Sequence, residues 1–331
     1  MSHIKLFENI SKKDVNIAGG KGASLGEMTN AKIPVPGGFI VLAAAFDRFL
    51  EEAKLNEEIR ARIAEVKPED TNSVDRASNV IRDIIKDTPM PEDLAVEILG
   101  AFDKLGAEFV AVRSSATAED SEVASWAGEL ESYLNTTRDN VCEKVKRCWS
   151  SLFTTRAIFY RFEKNLQDAS VSVAVVVQKM VQSDISGIAF TVHPVTEDYD
   201  QMIIEAGYGL GEAIVSGQIT PDSYVVGKKE MNIIEINIGA QTRKLIRKTP
   251  TSILPLSGGG QGGDEEDVAN EWIELGAEGE KQKLTGKEII EMAKVCVQIE
   301  DHYGFPCDIE WAMENGRIFI TQSRPITTLK K

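Results

Sequence analysis

Asp308 to Pro325 reads DIEWAMENGRIFITQSRP. Asn315-Gly316 stands between two apolar runs, a strong short-range hairpin signal because both residues tolerate positive φ. Glu310, Gln322 and Arg324 interrupt strands otherwise rich in Ile, Phe, Trp and Met. An acid and an amide on neighbouring strands can hold a hard cation such as Mg²⁺ through oxygen, next to a triphosphate. Arg324 would then meet the outer phosphate. The bland alternative is an exposed sheet face on which all three are solvated and idle. Register separates the two. A two-residue turn pairs Glu310 with Thr321 and sends Gln322 to the opposite face. A three-residue loop, Asn315-Gly316-Arg317, pairs Glu310 with Gln322. The metal reading therefore predicts the longer turn, with Gly316 or Arg317 at positive φ.

Upstream of the hairpin the pattern gives a helix over Ile289–His302 and strand-like pieces at 187–192, 202–205, 224–226 and 233–238. Ser257 to Asp267, SGGGQGGDEED, reads as a surface loop. Val171 to Met180, VSVAVVVQKM, is the clearest buried strand, since seven of its ten residues are Val, Ala or Met. The first third is mostly helical. Ser73–Asp87 and Pro91–Leu105 carry apolar stripes opposite charges, and Pro91 suits a first helical turn. Phe109–Val112 is a short buried strand, and Asn140–Phe162 reads as one long helical region. Composition turns from helix-rich to strand-rich near residue 190. The expectation is an α+β chain with an N-terminal subdomain over 1–190 and a C-terminal one over 191–329.

Gly19 to Met28, GGKGASLGEM, surrounds Lys21 with four glycines ahead of a helix. Glycines let backbone N–H groups approach a phosphate, and Lys21 supplies a point charge. It is not a Walker A loop: Val15 stands where the first Gly is needed, and Gly22 where Ser or Thr is needed. The alternative is a glycine-rich turn with a solvated Lys. Arg113 to Asp120, RSSATAED, follows a buried strand. Arg113 can fork two phosphate oxygens, with Ser and Thr hydroxyls adding donors; alternatively the cluster caps a following helix. Gly128 lies in another loop, SWAGELES, which ends at Ser132. Gln178, Lys179 and Met180 end the buried strand, where backbone and side-chain groups can read adenine, unless the strand is simply leaving the core. Gly207 to Gly217 fails the dinucleotide fingerprint, because the third glycine position is Glu212.

Composition narrows the classes. With 331 residues, 42% hydrophobic and 27% charged, the chain is an ordinary packed protein of one or two domains. Its net charge of −15 argues against tracking nucleic acid backbones or anionic lipid. The longest apolar run, Phe39–Phe46, is far short of the about twenty residues a membrane span needs. No secretory signal pattern opens the sequence. Cys142, Cys148, Cys296 and Cys307 form no C-x-x-C pair, which fits a reducing cytoplasmic setting and not a zinc site.

Taken in order, GGKGASLGEM, VPGGFIV (Val35 to Val41), RSSATAEDS with ASWAG, SGIAFTVHPVT (Ser186 to Thr196), GLGEAIVSGQITPD (Gly209 to Asp222) and IEW with ITQSRPIT resemble the N-terminal ATP-binding domain of phosphoenolpyruvate synthase and pyruvate phosphate dikinase. Rifampicin phosphotransferases and phenylphosphate synthases share it. The similarity runs from about Asn16 to Thr328, nearly the whole chain. It implies an ATP-grasp fold, with ATP and Mg²⁺ held in a cleft between two subdomains. Lys21 and Arg113 match the family's phosphate-binding residues. Gly128 matches the phosphate-covering loop, and Ser132 stands where Thr is common. Gln178 matches an adenine-side residue, with Lys179 and Met180 beside it. Glu310, Gln322 and Arg324 match the metal-and-phosphate set. Glu129 and Leu130 depart from the paired amides common in relatives.

The family's phosphorylated histidine sits on a swivelling domain. His3, His193 and His302 lack its small-residue setting, and His193 reads as a structural or loop residue. The resemblance therefore implies a catalytic subunit that passes a phosphoryl or pyrophosphoryl group from MgATP to a histidine on a separate subunit, which also carries the acceptor domain. Pyruvate is the expected final acceptor, with phenol or another hydroxyl as the alternative. A non-catalytic nucleotide-binding regulator is the other class, and a piece of a longer enzyme a third possibility.

Overall fold

The computed structural model describes residues 2–117, 131–164, 166, 172–248, 270–327 and 329. Ser257–Asp267 and Gly128 lie outside them, as does the segment after Thr117 where the helix cap was expected. The chain forms two compact units: Met1–Asn30 with Gly37–Met180, and Ala31–Pro36 with Val181–Lys331. The composition shift places the boundary near 190; the division falls at Met180/Val181, because Ile185–Phe190 pairs into the second unit's sheet.

The first unit contains β1 (Ile4–Leu6), α1 (Val15–Asn30), β2 (Gly38–Val41), α2 (Ala43–Glu52), α3 (Leu55–Ala64), α4 (Thr71–Asp87), α5 (Glu92–Leu105), β3 (Val110–Ala116), β4 (Ser132–Thr136), α6 (Val141–Ser150), α7 (Thr155–Glu163) and β5 (Val173–Lys179). Its sheet runs β1-β2-β5-β3-β4, antiparallel throughout. Val110, Val112, Val173, Val175 and Val177 turn one face of it into a core with Phe46, Phe49, Ile81, Ile98 and Trp149. The apolar stripe of α4 buries Val74, Ala77, Ile81 and Ile85, and Asp70 caps it by accepting from Asn72 N–H. Pro91 is the N-cap of α5, one place before the first helical turn, and Gly106 ends that helix in the left-handed region. The expected single helix over 140–162 is two. A 3₁₀ turn at Ser151–Phe153 interrupts it, and Thr154 restarts it by accepting from Ala157 N–H.

The second unit contains β6 (Ile185–Phe190), β7 (Gln201–Tyr208), α8 (Glu212–Val215), β8 (Asp222–Gly227), β9 (Asn232–Asn237), β10 (Arg243–Arg247), β11 (Asn270–Glu274), α9 (Gly286–Tyr303), β12 (Cys307–Glu314) and β13 (Arg317–Pro325). Its antiparallel sheet runs β13-β12-β6-β7-β8-β9, and β10 with β11 forms a separate ribbon. A Thr285–Glu288 capping box opens α9 and Gly304 closes it in the left-handed region. This helix packs across β7, β8, β9 and β12. It buries Ile289, Met292, Ala293, Cys296 and Ile299, on the sheet face that carries Ile204, Tyr224, Ile309 and Trp311. Beside it Lys283 and Asp222 form a fully buried ion pair at 2.9 Å. Asp222 also accepts from Gly239 N–H and the Tyr224 hydroxyl, so its charge is well compensated. Among the described residues no helix is long and apolar enough to cross a membrane.

Candidate functional site

In the second unit β12 and β13 form the expected hairpin, but not with the expected turn. Glu314 pairs with Arg317, so the turn is the two-residue Asn315-Gly316, at φ 52 and 74. Both signs are those a tight hairpin turn requires. Glu310 nevertheless pairs with Gln322. The ladder shifts between Glu310 and Trp311, leaving Thr321 as the extra residue of a bulge. A bulge reverses the alternation of one strand. Ile320 can therefore bury beside Trp311 while Gln322, two residues on, sits on the other face. The longer turn is thus a correction: the pairing it was meant to secure arises from a bulge.

That other face carries two rows. Gln322, Glu310, Ile188, Glu205 and Ser223 are successive cross-strand neighbours in one; Arg324, Asp308, Phe190, Ile203 and Val225 are in the next. The polar groups here differ in exposure: Gln322 is only 8% exposed and Glu310 is half-buried, while Arg324 is exposed. Asp308 grips Arg324 through Nε at 2.9 Å and an outer guanidinium nitrogen at 2.8 Å. Burial pushes the Asp308 carboxyl above its ordinary range, while the Arg324 charge and hydrogen bond pull it back. Burial also raises Glu205. Sequence reasoning missed both acids. Asp308 carried a readable signal, being two residues from Glu310 in the same strand; Glu205, inside an apolar run, carried none.

In the first unit the glycine-rich stretch lies within α1, which breaks at Gly19 (φ 69, ψ 171). The glycines serve packing more than the sequence suggests. A Cβ at Gly22 would lie 2.8 Å from Ile40, and one at Gly26 2.6 Å from Ile10. At the break, the Ser115 hydroxyl donates to Ala18 C=O at 3.0 Å and accepts from Gly22 N–H at 3.2 Å. Lys21 is partly buried and close enough, like Lys144, to act on the thiol of Cys148, which burial pushes up to about 12.

Arg113 lies in β3 on the face opposite the main core, paired with Val176 on one side and Ser132 on the other. The expected Ser and Thr donors are consumed internally. Ser114 bonds to the Glu131 and Cys148 carbonyls and to the Ser151 hydroxyl, and Thr117 donates to Ser172 C=O. Ser132 is exposed. Its neighbour Glu131 is held by Arg82 at 2.6 Å and by the Tyr133 hydroxyl, which fixes the start of β4.

Gln178, on the Arg113 face of β5, is 2% exposed, and its Nε2 has no hydrogen-bond partner among the described residues. A buried amide left unpaired is costly, which fits a donor kept for a ligand. The backbone N–H groups of Lys179 and Met180 are already used, by Gly37 C=O and Phe109 C=O. Neither is open to read a base. The structure thus groups Arg113, Ser132 and Gln178 on one sheet face of the first unit. It groups Glu310, Gln322 and Arg324 on one sheet face of the second.

Residues 15–331 match the family described as pyruvate phosphate dikinase, AMP/ATP-binding domain. A probable phosphoenolpyruvate synthase of Methanocaldococcus jannaschii is 44% identical, over 100% of this chain and 27% of its own length. The phosphoenolpyruvate synthase of Pyrococcus furiosus is 43% identical, over 99% of this chain and 44% of its own. A probable phosphoenolpyruvate synthase of Archaeoglobus fulgidus is 46% identical, over 98% and 41%. The chain therefore spans less than half the length of these relatives. The fold is the α+β, ATP-grasp-like one of that family. With its motifs, its two larger sheets and this match over nearly every residue, the chain belongs to the AMP/ATP-binding domain family of pyruvate phosphate dikinase.

Proposed function

We propose that this chain is the ATP-binding catalytic part of a dikinase-type phosphotransferase of the phosphoenolpyruvate synthase kind. It would transfer a phosphoryl or pyrophosphoryl group from MgATP to a histidine on a separate swivelling-domain subunit, with pyruvate as final acceptor. The observation that carries the reading is the hairpin. A bulge at Thr321 sets Gln322 opposite Glu310, and Asp308 holds Arg324 in the next row of the same face.

Each residue has a role that its surroundings support. Glu310 and Gln322 offer two neighbouring side-chain oxygens. Among the described residues no group of three or more His, Cys, Asp or Glu could cage a metal unaided. That suits Mg²⁺, which takes one or two protein ligands and completes its shell with water and phosphate. When bound, the ion neutralises charge on the phosphate oxygens. Asp308 keeps the Arg324 guanidinium oriented toward the outer phosphate. Lys21 and Arg113 add positive charge from the first unit, and Gln178 donates its buried amide to the base. This chemistry requires positioning and charge neutralisation and needs no protein nucleophile for ATP itself.

The three histidines of this stretch have other contacts, which supports an acceptor histidine outside it. His193 Nδ1 accepts from Val195 N–H at 3.3 Å and Thr196 N–H at 3.2 Å, closing a loop. His3 Nδ1 lies 3.5 Å from Glu97, and His302 stands edge-on to Tyr303. The test is label exchange between AMP and ATP, with and without a polypeptide carrying the swivelling histidine domain, and with pyruvate. Exchange that needs the partner and Mg²⁺ and is lost in Lys21→Ala and Glu310→Gln is expected. Exchange equal in both variants would overturn the assignment.

A further inference from the structure

We propose that Ser115 is a positioning residue for triphosphate binding, one that ties the Lys21 segment of α1 to the strand carrying Arg113; this rests on the MgATP reading above. In an unbroken helix Gly22 N–H would donate directly to Ala18 C=O. Gly19, at φ 69, opens that ring. The Ser115 hydroxyl fills the opening, donating to Ala18 C=O at 3.0 Å and accepting from Gly22 N–H at 3.2 Å. One hydroxyl has a proton to give and lone pairs to accept with, so a single group closes both ends of the break. Ser115 is fully buried, which leaves no water to take its place.

The geometry is specific to this serine. Ser114, one residue earlier, points to the opposite face and is occupied by the Glu131 and Cys148 carbonyls. Arg113, two residues earlier, shares the Ser115 face. Lys21 lies between the two bridged groups, Ala18 and Gly22. One oxygen therefore fixes the lysine segment to the arginine strand. The fit leaves no slack, since a Cβ at Gly19 would lie 2.2 Å from the Ser115 hydroxyl and 2.3 Å from its carbonyl oxygen. A straight helix would close the Ala18–Gly22 bond unaided. Instead Gly19 takes φ 69 and ψ 171, a conformation open to glycine, and the Ser115 hydroxyl replaces the bond that the break removes. The break also starts a fresh helical segment at Gly20–Lys21, whose N-terminal dipole favours an anion beside the lysine.

The test is calorimetric titration of the full chain and of Ser115→Ala with MgATP and, separately, with AMP. Positioning predicts that the variant loses about tenfold or more in MgATP affinity while AMP affinity stays within about twofold. A purely structural role would instead lower the binding-competent fraction for both nucleotides and leave both affinities in place. Equal weakening, or no weakening, overturns the proposal. A parent that binds no MgATP overturns the nucleotide reading and this one with it, whereas a normal variant beside a binding parent overturns this one alone. If Ser115→Ala does not fold, amide hydrogen exchange of the parent decides. A Gly22 amide already protected without nucleotide, and slowed further by MgATP but not by AMP, is expected. One exchanging at the free-chain rate would contradict it.

Discussion

The two units hold their candidate groups by different devices. In the first, the bend beside Lys21 is held by a hydroxyl that lies 93 residues from Gly22 in sequence. In the second, Gln322 is brought opposite Glu310 within one hairpin, by a single extra residue in β13. The first device is tertiary and depends on α1 packing close to β3; the second is local. Each unit also has a glycine at nearly the same positive φ, Gly19 at 69 and Gly316 at 74. Around Gly19 there is no room for a methyl group, while nothing lies within 4 Å of a Cβ at Gly316. A shared positive φ thus carries unequal penalties, and the surroundings help decide which is severe.

The comparison can be broken most decisively by removing the charged groups themselves. Under the proposed reading, Lys21→Ala and Glu310→Ala should each lower MgATP-dependent exchange by about a hundredfold or more, because both would stabilise charge on the transferring group. Steady-state exchange assays measure each loss, and a variant that keeps parent-like exchange would contradict the role given to that residue.

Gly19→Ala should destabilise the chain by about 3 kcal/mol, from a steric clash with Ser115 added to strain at positive φ. Gly316→Ala should cost only about 1 kcal/mol, since conformation alone is penalised. Denaturant midpoints of the two variants compare them directly, and equal shifts would remove the distinction between enclosed and open turns.

The smallest effect expected is a pH dependence at Asp308. Its folded pKa is raised above 3.8, chiefly by burial. The folded chain therefore holds that proton more tightly than the unfolded chain, and the ionised carboxylate subtracts stability at neutral pH. That subtraction fades as pH falls through the raised value toward 3.8. Asp308→Asn should thus be at least as stable as the parent at pH 7, with the difference shrinking on acidification. Thermal melts from pH 7 to pH 4 would test the sign. In exchange assays the same variant should impair turnover, because Arg324 loses the group that orients it.

Legibility followed the same division between local and tertiary causes. Asn315-Gly316 encodes its own turn, so the hairpin and its two strands could be read directly. The bulge could not, because it answers to Ile320 burying beside Trp311. The amphipathic helix α4 was readable from its stripe. The break of the long helix at Ser151–Phe153 was missed, although Ser150-Ser151 and Thr154-Thr155 flank it and Thr154 caps the second helix. At the site, Arg113 was expected just past the end of a strand, but β3 runs on to Ala116 and holds Arg113 at its middle. Ser115 was taken with its neighbours as a phosphate donor, because nothing in RSSATAED says that its hydroxyl is spent on α1. Gly22 and Gly26 looked like phosphate glycines, and their contacts with Ile40 and Ile10 exist only in the folded chain.

The most direct measurement is a double-mutant cycle on nucleotide binding. MgATP is titrated calorimetrically into the parent, Lys21→Ala, Glu310→Gln and the combined variant. Under the proposed reading, saturable, Mg²⁺-dependent binding by the parent is predicted, weakened in each single variant and most in the double. Parent-like MgATP affinity in both single variants would contradict the account.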